Sequence, residues 1–161
     1  MSFYEITGGR PLEGAVAVQG AKNSVLPILA AALLAPGVSV IHNCPDLTDV
    51  NAAIDILRLL GCSVTREGHT VTINAASPVP APIPEQLSRE LRSSVIFMGA
   101  ILSRMGAGEL AYPGGCDLGP RPIDLHLSAL RMLGADIREE NGLLRCTGRH
   151  MPGGEISLPI P

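Results

Sequence analysis

Residues 112–122, Tyr112-Pro113-Gly114-Gly115-Cys116-Asp117-Leu118-Gly119-Pro120-Arg121-Pro122, set one thiol and one guanidinium in a frame of glycine and proline. A strand-to-helix connection needs only a few residues, and a longer, stiffened one more often presents chemistry than merely joins elements. The glycines before Cys116 let the backbone approach a ligand closely, and Arg121 favours a lowered thiol pKa. The chemistry open to such a group is that of a reactive thiol. A lone cysteine is more often structural; the glycine and proline frame argues for function here.

The second candidate lies far from the loop. Of the 12 Lys and Arg residues, Lys22 is the single lysine. Ammonium and guanidinium are not interchangeable, so one lysine in an arginine-writing sequence points to a need for a compact charge. Asn23 and Ser24 are good N-cap types, which places Lys22-Asn23 at a helix N-terminus, where unpaired N–H groups and the dipole attract phosphate or carboxylate. An exposed lysine beside a capping Asn reads equally well. Arg92 either binds an anion or pairs with Glu85 or Glu90 on the surface. Asp124 and His126 either hydrogen-bond a polar ligand or sit on a helix surface. Asp46 and Asp49 read as acidic residues serving the N-terminus of their own helix.

The elements that position these residues follow from periodicity and punctuation. Residues 3–20 read as short strands and turns. A helix from Asn23 or Ser24 to about Ala35, with Pro27 in its first turn, is apolar almost all round and so is expected to be central and buried. A strand at 38–43 leads to a helix opened by Pro45-Asp46, striped by Leu47, Val50, Ile54, Leu57 and Leu60 and closed by Gly61. A hairpin at 62–66 and 70–74 and a proline-rich extended connector at 77–84 follow. The order then recurs: one helix over 85–105, a strand at 109–112, the Cys116 loop, a helix at 123–133, and strands at 135–139 and 143–147 around an Asn141-Gly142 turn. Arg58-Leu59-Leu60-Gly61 matches Arg131-Met132-Leu133-Gly134 at an offset of 73, whereas Gly37 matches Gly108 at 71. The second copy therefore carries two extra residues, and they fall in the Cys116 loop. Residues 155–161 read as the opening strand of a third copy, so the chain is expected to be part of something longer.

Composition narrows the class. Hydrophobic residues make up 46% but aromatics only 2%, so the core must be built from Ala, Leu, Ile and Val. A net charge of −3 without a basic run argues against nucleic acid. The apolar run 25–35 is too short to span a bilayer, and no signal peptide is apparent. The four cysteines show no metal-ligand spacing. A cytoplasmic protein with reduced thiols is expected, three of them small core hydrophobes.

At Gly20-Ala21-Lys22-Asn23, Pro113-Gly114-Gly115-Cys116 and Gly119-Pro120-Arg121-Pro122-Ile123-Asp124-Leu125-His126, the sequence resembles the UDP-N-acetylglucosamine 1-carboxyvinyltransferase family of enolpyruvyl transferases. The likeness runs over nearly the whole chain. It implies an α/β fold of repeated βαβαββ units in an inside-out α/β barrel. Residues 1–21 would pack with a second domain. Residues 22–161 would form an incomplete first domain: repeats at about 22–84 and 85–153 and the start of a third at 154–161. The implied reaction transfers the enolpyruvyl group of phosphoenolpyruvate to the 3′-hydroxyl of UDP-N-acetylglucosamine, releasing phosphate, in peptidoglycan precursor synthesis. By position, the resemblance assigns Cys116 as proton donor, adduct carrier and fosfomycin target. It assigns Lys22, Asn23 and Arg121 to phosphoenolpyruvate, and Arg92, Arg121, Pro122, Ile123, Asp124 and Leu125 to the UDP-sugar. Neither metal nor organic cofactor is implied; the partners are the two small substrates and the remainder of the enzyme. Ala100, Leu118 and Pro120 depart from the family pattern. The base and further arginines of the family lie beyond these residues, so the chain alone is expected to be inactive. A UDP-sugar-binding fragment and a 5-enolpyruvylshikimate-3-phosphate synthase-like enzyme are the alternatives; the Gly-Gly-Cys loop and its Arg-Pro-Ile-Asp-Leu continuation argue against the latter.

Overall fold

The structure, a computed structural model, describes residues 3–91, 93–113 and 122–157. The first half contains α1 (Lys22–Ala32), β1 (Val38–Ile41), α2 (Thr48–Leu59), β2 (Ser63–Glu67) and β3 (Thr70–Asn74). The second contains α3 (Glu85–Glu90), α4 (Ile96–Met105), β4 (Ala107–Ala111), α5 (Asp124–Met132), β5 (Asp136–Glu140) and β6 (Leu143–Thr147). The strands form two antiparallel three-stranded sheets, ordered β1-β3-β2 and β4-β6-β5. In both, a helix joins the first strand to a hairpin whose last strand takes the middle. One topology is used twice.

Local chemistry accounts for the turns. Asn141 and Gly142 both have positive φ, 52° and 75°, as a two-residue turn matched to strand twist requires. Packing accounts for the rest. Leu29, Ile56 and Leu57 from the helices and Leu33 and Leu60 at their C-caps join Val71, Ile73 and Leu144 from the sheets, all buried, in one core cluster that spans both halves. Burying each such side chain contributes about 1.5–3 kcal/mol. Phe97 is the one aromatic in this cluster's buried set. The connector joins the halves: the Ile83 N–H donates to the Glu109 carbonyl (2.8 Å), and the Ala111 N–H donates to the Ile83 carbonyl (3.1 Å).

Several expectations are corrected. Residues 3–19 form no strand and are exposed, because nothing among the described residues pairs with their backbone. Helix α1 starts at Lys22 rather than after an Asn23 or Ser24 cap; Ala21, extended at φ −74°, occupies the N-cap. Pro27 is therefore the sixth helical residue and not in the first turn, and it has no N–H to return to the Asn23 carbonyl. The helix ends at Ala32, and Ile28 (49%) and Leu34 (44%) remain exposed, since α2 and α4 cover one face only. Helix α2 opens at Thr48 rather than at Pro45-Asp46. The single helix expected over 85–105 is two. Leu91 leaves helical geometry (φ −99°, ψ 86°), and Ser93, Ser94 and Val95 form turns. Serine and β-branched residues favour such a break, and the apolar spacing continues across it, which hid it from periodicity. Glu155–Ser157 are not strand, and the rest of the expected third-copy strand lies outside the described residues.

Candidate functional site

The site begins with a close backbone approach. A Cβ added to Gly20 would lie 2.1 Å from the Asn43 carbonyl oxygen and 3.3 Å from its carbon. Asn43 is itself left-handed (φ 56°), a conformation Asn tolerates, and the next N–H, from Cys44, donates to the His69 carbonyl at 2.8 Å. The exit of β1 is thus pinned to the β2–β3 hairpin, and Gly20 lies against it. Two residues later Lys22 opens α1. The Ala21 carbonyl accepts from the Ser24 and Val25 N–H groups, both at 3.1 Å, so the helix is closed from its first turn.

Lys22 and Asn23 line a polar cleft of about 620 Å³ with Leu26, Asp49, Arg89, Glu90 and Ser93. The Lys22 ammonium pairs with the Asp49 carboxylate. On the facing wall, Arg89 pairs with Glu85 (2.5 Å), and Gln86 Nε2 donates to Glu90 Oε1 (3.1 Å). Helices α1, α2 and α3 therefore bring two cations and two carboxylates to one opening. Leu26 is the apolar residue of the lining. Of these groups the Lys22 ammonium, half-exposed, has donors left over for a charge-assisted hydrogen bond to an anion.

The predicted residues divide into three groups. Lys22 and Asn23 both line the cleft. Pro122, Ile123, Asp124 and Leu125 stand at the start of α5 and do not line it. Arg92, Cys116 and Arg121 lie outside the described residues. The first turn of α5 carries His126, half-buried, whose Nε2 has no hydrogen-bond partner among the described residues. Burial holds the His126 imidazole below its ordinary pKa, a shift that the nearby Val95 backbone partly opposes. The loop's near end is anchored, since the Tyr112 N–H donates to the Gly142 carbonyl (2.7 Å). Missed in the sequence were Asp49 as partner of Lys22, and Arg89, Glu90 and Ser93 as lining. No motif marks them; only the packing of three helices does.

The other thiols are poor nucleophiles. Cys44, Cys62 and Cys146 are buried and unbonded to one another, and burial raises all three above the ordinary thiol pKa, Cys146 to about 11. Between pH 9 and 11 the unfolded chain loses the Cys146 proton that the folded chain keeps, so folding weakens as pH rises. Thermal melts should show Cys146→Ala losing on the order of 2 kcal/mol less stability than the parent between those pH values. Equal alkaline losses would refute it. Among the described residues there is no group of three or more metal-ligating side chains, and no helix is long and apolar enough to cross a membrane.

Residues 6–161 match the EPSP synthase (3-phosphoshikimate 1-carboxyvinyltransferase) family. The UDP-N-acetylglucosamine 1-carboxyvinyltransferase 2 of Caldanaerobacter subterraneus subsp. tengcongensis is 48% identical over 161 residues, all of this chain and 39% of the relative. The corresponding enzyme 1 of Symbiobacterium thermophilum is 46% identical, over 98% of this chain and 37% of its own. The chain thus spans well under half the length of these relatives. Among solved structures, the enolpyruvyl transferase NikO from Streptomyces tendae superposes with a TM-score of 0.77 at 27% identity, over 89% of this chain and 32% of that one. An EPSP synthase from Acinetobacter baumannii, at 21% identity and a TM-score of 0.62, shares the fold over 84% of this chain and 32% of its own.

Proposed function

The chain belongs to the EPSP synthase family, and from that premise we propose that it forms part of a UDP-N-acetylglucosamine 1-carboxyvinyltransferase. The reaction adds the sugar 3′-hydroxyl to C2 of phosphoenolpyruvate as C3 takes a proton. Phosphate then leaves with a C3 proton, restoring the double bond in the enolpyruvyl ether. The activity serves peptidoglycan precursor synthesis in the cytoplasm.

The observation that carries this reading is the placement of the sole lysine and Asn23 at the N-terminus of α1, inside a polar cleft. Phosphoenolpyruvate is small and densely anionic, and preorganised cations at its phosphate and carboxylate stabilise charge without reorganisation. Lys22 and Asn23, with Arg121, are assigned to it. Arg92, Arg121, Pro122, Ile123, Asp124 and Leu125 are assigned to the UDP-sugar. Asp124, exposed in the first turn of α5, is free to accept hydrogen bonds from a ligand. Cys116 is the proton donor, a task suited to a group on a loop that excludes water when it closes.

Thiol labelling tests the assignment. Cys44, Cys62 and Cys146 are buried with raised pKa values, so fosfomycin at neutral pH should add once per folded chain, at Cys116, located by peptide mass mapping. Phosphoenolpyruvate with UDP-N-acetylglucosamine should alter the rate of addition. Equal labelling of all four thiols, or a rate indifferent to both substrates, would sink the proposed role of Cys116.

A further inference from the structure

Asp49 occupies the first turn of α2, where the helix dipole alone would account for a carboxylate. Its side chain makes a different connection. It accepts a hydrogen bond from the ammonium of Lys22, 27 residues earlier, and so ties the start of α1 to the start of α2. The other charged groups of the cleft are satisfied within one helix: Arg89 by Glu85, and Glu90 by Gln86. Lys22–Asp49 is the cleft's one ion pair between elements among the described residues.

We propose that Asp49 is a positioning residue that holds the Lys22 ammonium in place for an incoming phosphate- or carboxylate-bearing substrate. The proposal rests on reading the cleft as the phosphoenolpyruvate site. An ammonium carries three donors and no acceptor, so one bond to Asp49 leaves two for the substrate. The lysine stem is flexible, and half of the Lys22 side chain is exposed (50%), whereas Asp49 is the more enclosed partner (23%). The enclosed carboxylate is thus the anchor and the long cation the group it restrains. Exposed ion pairs contribute little to folding, so stability does not account for the pairing. Restraint before binding does, because a side chain already held in its working geometry loses less freedom when the ligand arrives.

Lys22 makes the test unusually direct, because as the sole lysine it gives a single Nζ resonance in the full chain grown with ζ-15N-lysine. Phosphoenolpyruvate should move that resonance in the parent. Asp49→Ala should shift it towards the position of a free lysine and weaken phosphoenolpyruvate binding roughly tenfold. Asp49→Glu, which keeps the charge, should recover most of both. Asp49→Asn retains a side chain suited to a helix start and should behave as Asp49→Ala if the helix is not the cause. Asp46→Asn, the same loss of charge at the residue paired with Arg66 (3.5 Å), should leave the resonance in place. An unmoved resonance in Asp49→Ala overturns the proposal. So does tighter binding by that variant, which would make Asp49 only a repelling charge. If phosphoenolpyruvate leaves the parent resonance untouched, the reading of the cleft itself fails. That failure shows without any Asp49 variant, and the proposal falls with it.

Discussion

Gly20→Ala should destabilise the chain by about 1–3 kcal/mol and displace the start of α1. The added methyl would sit 2.1 Å from the Asn43 carbonyl oxygen and 3.5 Å from Pro45 Cδ. A flexible side chain could move aside, but this obstacle is backbone. Asn43 is left-handed, and the following Cys44 N–H is bonded to the His69 carbonyl, so the carbonyl cannot retreat without opening the hairpin junction. The relief must come from residues 20–22, which moves Lys22 away from Asp49. Urea unfolding measures the first effect and the Nζ resonance of Lys22 the second. Gly8→Ala is the matched control, since nothing lies within 4 Å of a Cβ there. If both variants melted alike and kept the parent lysine resonance, the Gly20 contact would not be what sets the cleft.

Lys22→Ala should separate binding from folding. Charge-assisted hydrogen bonds contribute about 1.5–3 kcal/mol, so calorimetry should show phosphoenolpyruvate binding weakened about 10–100-fold. Stability should change by no more than about 0.5 kcal/mol, because the side chain is half-exposed and its ion pair lies in the open cleft. Lys22→Arg keeps the charge but brings a larger planar fork, and should recover only part of the affinity. Unchanged affinity in Lys22→Ala would refute the anion site. A large stability loss would make Lys22 a structural residue.

These effects trace to different levels of organisation. The repeat was legible because it depends on local signals: the Gly61 and Gly134 stops, the Asn141-Gly142 turn, and apolar residues at helical or strand spacing. Both glycines adopt positive φ, 82° and 102°, as helix stops of that kind demand. β3 and β6 occupy 70–74 and 143–147 as read, because short apolar alternation between turn signals leaves few other registers. Periodicity failed where packing overrode it. The apolar spacing from Leu87 to Met105 is helical throughout, yet the chain leaves the helix at Leu91 and turns at 93–95, which splits the helix between two neighbours: α3 faces α2, and α4 faces α1. Residues 14–20 alternate as a strand does, but alternation without a partner makes no sheet.

The candidate site divides in the same way. The identity of its lysine, the place of that lysine at a helix start, and the motifs that tie the chain to its family are one-dimensional facts, and the sequence by itself determined them. That Asp49 serves Lys22 rather than only its own helix was decided by tertiary structure. So was the wall of the cleft at Arg89, Glu90 and Ser93, whereas three thiols as core hydrophobes were already legible in the sequence. The physical reason is range. Helix stops and turns are set by residues within one turn of chain, whereas a carboxylate meets an ammonium 27 residues away only once α1 and α2 have packed.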